Sequence, residues 1–126
     1  MATAVCGIPL SRIRRVEIYI NQSARSLAEV RERTGADYII NGGLFEGAKA
    51  VCHLKAGGRI YASDPYTYWG YAWDTGPDIS LAGVPASGKQ NYICCVCLLR
   101  GGQPERLIYG RELGGRRPRT AMGLKG

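Results

Sequence analysis

The sequence predicts an α+β domain, a mainly antiparallel β-sheet with one helix near the N-terminus. Three observations carry this expectation. Eighteen glycines and six prolines in 126 residues cut the chain into short segments, which suits strands and turns better than a helical bundle. Several of those segments alternate apolar and polar residues with the period of a half-buried strand. A single stretch, residues 23–34, combines helical spacing with a start and a stop. Apolar residues make up 45% of the chain, enough for one core, so residues 1–126 are expected to form a single domain.

The elements follow in order. Residues 11–20 alternate, Ile13, Arg15, Glu17 and Tyr19 against Arg14, Val16, Ile18 and Ile20, and read as a strand. The helix comes next, with Ser23 as N-cap, Ala24, Leu27 and Ala28 on one face, Glu29 and Arg33 spaced i,i+4, and Gly35 as its stop. Residues 37–40 read as a short buried strand that delivers Asn41-Gly42-Gly43. Residues 50–55 and 59–62 flank Gly57-Gly58 and form a predicted hairpin. An aromatic run (Tyr66, Tyr68, Trp69, Tyr71, Trp73) ends at Asp74-Thr75-Gly76-Pro77, a turn sequence. Residues 79–84 read as a strand. Residues 91–100 and 105–109 read as a second hairpin around Gly101-Gly102-Gln103-Pro104, and residues 119–124 as a last strand.

Charge is unevenly spread. Seventeen Lys and Arg against ten Asp and Glu give a net charge of +7. Residues 100–126 contribute +5, residues 34–99 contribute −1 and residues 1–33 contribute +3. A basic end attracts anions as a class: phosphate esters, nucleic acid or acidic lipid. A dispersed solvated surface explains the same excess without function.

The five cysteines are Cys6, Cys52, Cys94, Cys95 and Cys97. Cys94 and Cys95 would point to opposite faces of a strand, so no disulfide framework emerges, and a reducing, cytoplasmic location is expected. Residues 1–10 lack the charged start and apolar core of a signal peptide, and no run approaches the ~18 apolar residues of a membrane span. Cys-Cys-x-Cys in an apolar strand lacks the loop geometry of a zinc site, so neither metal nor cofactor is expected. His53, the single histidine, reads as a packed or surface strand residue before it reads as an acid or base.

Two segments could carry chemistry. Asn41-Gly42-Gly43 is either a tight Asn-Gly turn or a place where bare backbone approaches a ligand, whose oxygens bond the N–H groups and the Asn41 amide. Arg116-Arg117-Pro118-Arg119-Thr120 is either a solvated basic loop or an anion clamp. In the second reading the Arg119 guanidinium makes two bonds to a phosphate and Thr120 adds a third. The candidate acids are Glu46, Asp64, Asp74 and Asp78, carboxyl groups that could carry a proton in acid–base work. Glu46, just after Asn41-Gly42-Gly43-Leu44-Phe45, is the best placed of the four.

Asn41-Gly42-Gly43-Leu44-Phe45, Cys97-Leu98-Leu99-Arg100-Gly101-Gly102 and Arg119-Thr120-Ala121-Met122-Gly123 resemble, in order and rough spacing, motifs of the phosphodiester glycosidase family. The resemblance spans about residues 37–126. It implies hydrolysis at the anomeric carbon of a sugar 1-phosphodiester or nucleotide sugar, with Arg119 and Glu46 in catalytic roles and Asn41, Gly42, Gly43 and Thr120 binding substrate. The family also carries an Asp-Gly-Gly-Gly-Ser motif in its C-terminal half, which has no counterpart here. The resemblance therefore makes this chain the N-terminal half of such a domain, an incomplete sheet whose last strand a second chain or another copy would complete. Two other readings stand beside it: a non-catalytic module that captures a phosphorylated sugar or nucleotide, and a basic nucleic-acid-binding domain whose aromatic run stacks on bases.

Overall fold

Five central strands organise the molecule. The structure is a computed structural model that describes residues 4–42, 44–46, 49–63, 69–83, 88–94, 96–106 and 120–125. Within them a 3-10 turn (η1, Leu10–Arg12) and a helix (α1, Leu27–Thr34) precede nine short strands. These are β1 (Leu44–Glu46), β2 (Lys49–Val51), β3 (His53–Ala56), β4 (Arg59–Ser63), β5 (Gly70–Trp73), β6 (Ser80–Ala82), β7 (Asn91–Cys94), β8 (Leu99–Arg100) and β9 (Gln103–Pro104). Strands β4-β3-β7-β5-β6 form an antiparallel sheet, and β1-β2 and β8-β9 form two-stranded ribbons. One helix and a mainly antiparallel sheet make this an α+β fold, as the sequence predicts.

The β3–β4 hairpin turns where Gly57-Gly58 predicts it. Both glycines have positive φ, 57° and 86°, which matches the twist of a two-residue hairpin. The turn is tied to β7, because the Gly57 N–H donates to Asn91 Oδ1 at 3.0 Å and the Gly58 N–H to the Gln90 carbonyl at 2.8 Å. Strand β5 lies between β7 and the edge strand β6, with all four residues buried. Gly70 lets it approach β7, since a Cβ there would stand 2.2 Å from the Ile93 carbonyl oxygen.

Alternation along β5 and β7 divides the core in two. Ala72, Tyr92 and Cys94 pack with Cys52 on one face, joined by Val51 and Ala82. Tyr71, Trp73 and Ile79 pack on the other, with Ile93, Leu81, Val16 and Ile18 against them. Tyr71 and Trp73 of the aromatic run thus share one sheet face, and Tyr66 and Tyr68 lie outside the described residues.

The strand expected over residues 11–20 does not form: 11 and 12 belong to η1, and residues 13–20 alternate but join no ladder. They cross the second face instead, with Val16 and Ile18 half-buried against it. The Val16 N–H donates to the Thr75 carbonyl at 2.8 Å, and Trp73 Nε1 donates to the Val16 carbonyl at 2.9 Å. With both backbone groups satisfied this way, Val16 needs no partner strand.

The helix starts three residues later than expected. Ser26, not Ser23, is the N-cap: its Oγ accepts the Glu29 N–H at 3.2 Å and donates to Glu29 Oε1 at 3.3 Å, a reciprocal cap. Ahead of it the Asn21 side chain bonds the Arg25 N–H and carbonyl, and Ala24 has φ 51°, so residues 21–25 form a separate turn. Leu27 and Ala28, the predicted apolar face, are exposed, and Val30 is the buried residue of the helix. Gly35 ends it with φ 70° and its N–H on the Arg31 carbonyl, as expected.

Three strand predictions also change. Residues 37–40 pair with no described strand and leave Tyr38 and Ile40 exposed. The segment 50–55 breaks at Cys52, which is buried with φ 64°, so β2 joins β1 and β3 joins the large sheet. Residues 91–100 divide as well: β7 belongs to the large sheet, and the Gly101-Gly102 hairpin has only β8 and β9 as its described arms. No helix among the described residues is long and apolar enough to cross a membrane.

Candidate functional site

The two motif segments meet although 79 residues separate them. Thr120 Oγ1 donates to Asn41 Oδ1 at 2.7 Å, and both residues are exposed. The junction rests on the second sheet face. Tyr71 on β5 and Ile93 on β7 stand directly opposite each other in the ladder, so their side chains share that face. The Tyr71 hydroxyl donates to the Met122 carbonyl at 3.1 Å and pins residues 120–122. On the other side Gly42 lies against Ile93, where an added Cβ would come within 3.0 Å of Cδ1. One cross-strand pair therefore seats both segments and brings Asn41 and Thr120 together.

The backbone angles bear on the turn reading of Asn41-Gly42. Neither residue has positive φ, so they do not form the Asn-Gly hairpin turn. Gly42 is bare because the sheet is close. The strand expected over 119–124 does not form in its described part, residues 120–124: Thr120 is held through its side chain and Met122 through a tyrosine hydroxyl.

Of the other predicted site residues, Gly43 and Arg119 lie outside the described residues. Glu46 ends β1, paired in the ladder with Lys49. Asp64 is outside the described residues. Asp74 and Asp78 are committed to their turn. Asp78 accepts the N–H groups of Asp74 at 2.7 Å, Gly76 at 2.9 Å and Thr75 at 3.0 Å, and Lys89 Nζ stands 3.3 Å away. These bonds to the charged form, led by the Gly76 N–H, hold its carboxyl well below the usual carboxylate range. Asp74 accepts the Gln90 N–H at 2.9 Å. Lys89 is raised above its ordinary value, chiefly by its bond to Asp78. A carboxylate saturated by backbone donors is a structural anchor and a poor proton carrier.

The remaining candidates resolve simply. His53 is half-buried on β3 opposite Ser63. Cys52 and Cys94 share a core cluster, and Cys97 Sγ donates to the Leu99 carbonyl at 3.4 Å. The described residues contain no group of three or more His, Cys, Asp or Glu placed to hold a metal. Trp69 carries the Arg100 guanidinium at 4.5 Å from its ring, and Arg100 Nε bonds Glu105 at 2.6 Å, so that aromatic face is already covered. An open cleft of about 460 Å³ lies between Gly7, Ile8, Pro9, Arg12, Asp37 and Tyr38, and neither Asn41 nor Thr120 lines it.

Sequence reasoning missed Tyr71, Ile93 and Asn91 as the residues that seat and brace this region. Asn91 is buried and bonds three backbone groups: the Gly57 N–H and the carbonyls of Trp73 and Asp74. Its position at the start of a strand after a Lys-Gln pair carries no sign of that role. No known protein family, curated protein or solved structure matches this chain.

Proposed function

We propose that the Asn41–Thr120 junction is the sugar-phosphate end of a phosphodiester glycosidase-like site, which hydrolyses the glycosidic bond of a sugar 1-phosphodiester or a nucleotide sugar. The hydrogen bond at 2.7 Å between segments 79 residues apart carries this reading, because the resemblance requires those two segments to serve one ligand. Arg119 adjoins Thr120 in the chain, and a guanidinium there would clamp phosphate oxygens in two places. Asn41 and the Gly42-Gly43 backbone would take the remaining oxygens.

The chemistry asks less of carboxylates than ordinary glycoside cleavage does. A water oxygen adds to the anomeric carbon, the bond from that carbon to the phosphate oxygen breaks, and its electron pair leaves with the phosphate. A phosphate monoester has its second pKa near ~6, so it departs without a proton from the protein. Arg119 would stabilise the charge that develops on it. One carboxylate then suffices to take the proton from water. Glu46 is the candidate, since Asp74 and Asp78 are occupied in their turn.

A second reading, capture of a phosphorylated sugar without cleavage, is favoured by the commitment of those two carboxylates. Release of free sugar from a panel of sugar 1-phosphodiesters and nucleotide sugars separates the two. Release that disappears in Arg119→Ala supports the hydrolase. Thermal stabilisation by the same ligands without release, lost in Arg119→Ala, supports capture. Neither effect, together with binding to nucleic acid that falls steeply with salt, would replace both with the nucleic-acid reading.

A further inference from the structure

We infer that Thr120 is a positioning residue: it fixes the Asn41 carboxamide so that the Nδ2 donors face an incoming ligand, and the ligand must offer Asn41 an acceptor oxygen. The inference rests on the proposed site and assigns its polarity. Two oxygens 2.7 Å apart require a proton between them, and the Asn41 Oδ1 carries none. The distance also matches an O–H···O bond rather than the longer N–H···O bond. The Thr120 hydroxyl proton is therefore spent on Asn41, and Thr120 has no proton left to give a phosphate.

This bond sets what each group can do next. With Oδ1 engaged, rotation of the Asn41 amide is arrested, and its two Nδ2–H donors bond no other described residue. Asn41 is exposed, so they meet solvent or ligand. Thr120 keeps its lone pairs and can only accept. A ligand at the junction thus meets donors at Asn41 and an acceptor at Thr120. A glycosyl phosphate fits this pair, with a phosphate or acyl oxygen at Asn41 and a sugar hydroxyl at Thr120. The anchor at the Met122 carbonyl keeps Thr120 in place, so the orientation is imposed by the fold before any ligand arrives.

Three variants and two readouts test this on the full chain. Thr120→Val keeps the shape and removes the hydroxyl, Thr120→Ser keeps the hydroxyl, and Asn41→Ala removes the amide. The first readout needs no ligand: the side-chain amide resonances of Asn41 in a proton–nitrogen correlation spectrum. They should sit apart from exposed asparagine values in the wild type, collapse towards them in Thr120→Val and return in Thr120→Ser. Unmoved resonances in Thr120→Val overturn the inference, whatever the ligand proves to be.

The second readout is the dissociation constant of UDP-N-acetylglucosamine. Thr120→Val should weaken binding about tenfold and Thr120→Ser less than about threefold. Asn41→Ala added to Thr120→Val should cost nothing further, because the two act as one unit. Losses that multiply would show that Thr120 does not act through Asn41 and overturn the inference. A wild type that binds neither this probe nor any sugar 1-phosphodiester refutes the proposed function. The amide resonances then still decide whether Thr120 orients Asn41.

Discussion

Replacing Asn91 with aspartate preserves its shape and reverses the polarity of half its side chain. Asn91 is 7% exposed and joins three parts of the sheet. Its Oδ1 accepts the Gly57 N–H at 3.0 Å, and its Nδ2 donates to the Asp74 carbonyl at 3.2 Å and the Trp73 carbonyl at 3.4 Å. Asn91→Asp keeps the first bond, deletes both donors and sets a second carboxylate oxygen against two carbonyls. Two lost bonds, the longer one weak, cost about 1–1.5 kcal/mol, and burying the charge against like dipoles adds about 2 kcal/mol. The total near neutral pH is about 3 kcal/mol.

The charge-dependent 2 kcal/mol would raise the introduced carboxyl by about 1.5 pKa units, from about 3.9 to about 5.5. A raised folded-state pKa means the native variant holds its proton longer than the unfolded chain does. Relative to wild type, the loss of stability is therefore smallest below about pH 4, grows as pH rises to about 5.5 and is constant above about 6.5. Urea unfolding of both proteins from pH 3.5 to 7.5 measures it. A difference that is flat with pH, or below about 1 kcal/mol at pH 7, would refute the reasoning that Asn91 donates into this buried corner.

Three further outcomes follow from the same contacts. Gly70→Ala places a Cβ 2.2 Å from the Ile93 carbonyl, so β5 and β7 must separate. The expected cost is about 3 kcal/mol, a fall in Tm of about 10 °C, and an unchanged melting curve would contradict the close approach. Trp73→Phe removes the bond that holds the Val16 carbonyl and should cost about 1–2 kcal/mol. Hydrogen exchange of the Val16 amide should quicken by more than that of β7, and equal protection would refute the strap. Asp78 is depressed in the folded state, so its stabilisation is fully present above the usual carboxylate range, begins to fall as pH drops below about 4 and is gone only once pH has passed the depressed folded value. Asp78→Asn should therefore lose less stability than wild type between pH 6 and 3 in thermal melts, and parallel pH profiles would count against the backbone cage.

Local features were legible because local rules decide them. Gly57-Gly58 demands a hairpin, Gly35 stops the helix, and Asp74-Thr75-Gly76-Pro77 turns. The helix N-terminus was misread because two serines compete there. Asn21 closes its own turn with Arg25, and that leaves Ser26, three residues before Glu29, to form the cap. Residues 13–20 and 37–40 show where pattern stops short: alternation marks an extended segment with two faces, and says nothing of whether a neighbour offers hydrogen bonds.

The site divides in the same way. Asn41-Gly42 and Thr120 stood out in the sequence as small, polar and backbone-exposing residues. No local rule sets them side by side, because nothing local links positions 79 apart. The α+β class, the punctuation by glycine and the basic character are properties of composition and short-range spacing, and the sequence alone determined them. The tertiary structure decided that Asn41 meets Thr120, since that depends on Tyr71 and Ile93 sharing a sheet face through a pairing register set by the whole ladder.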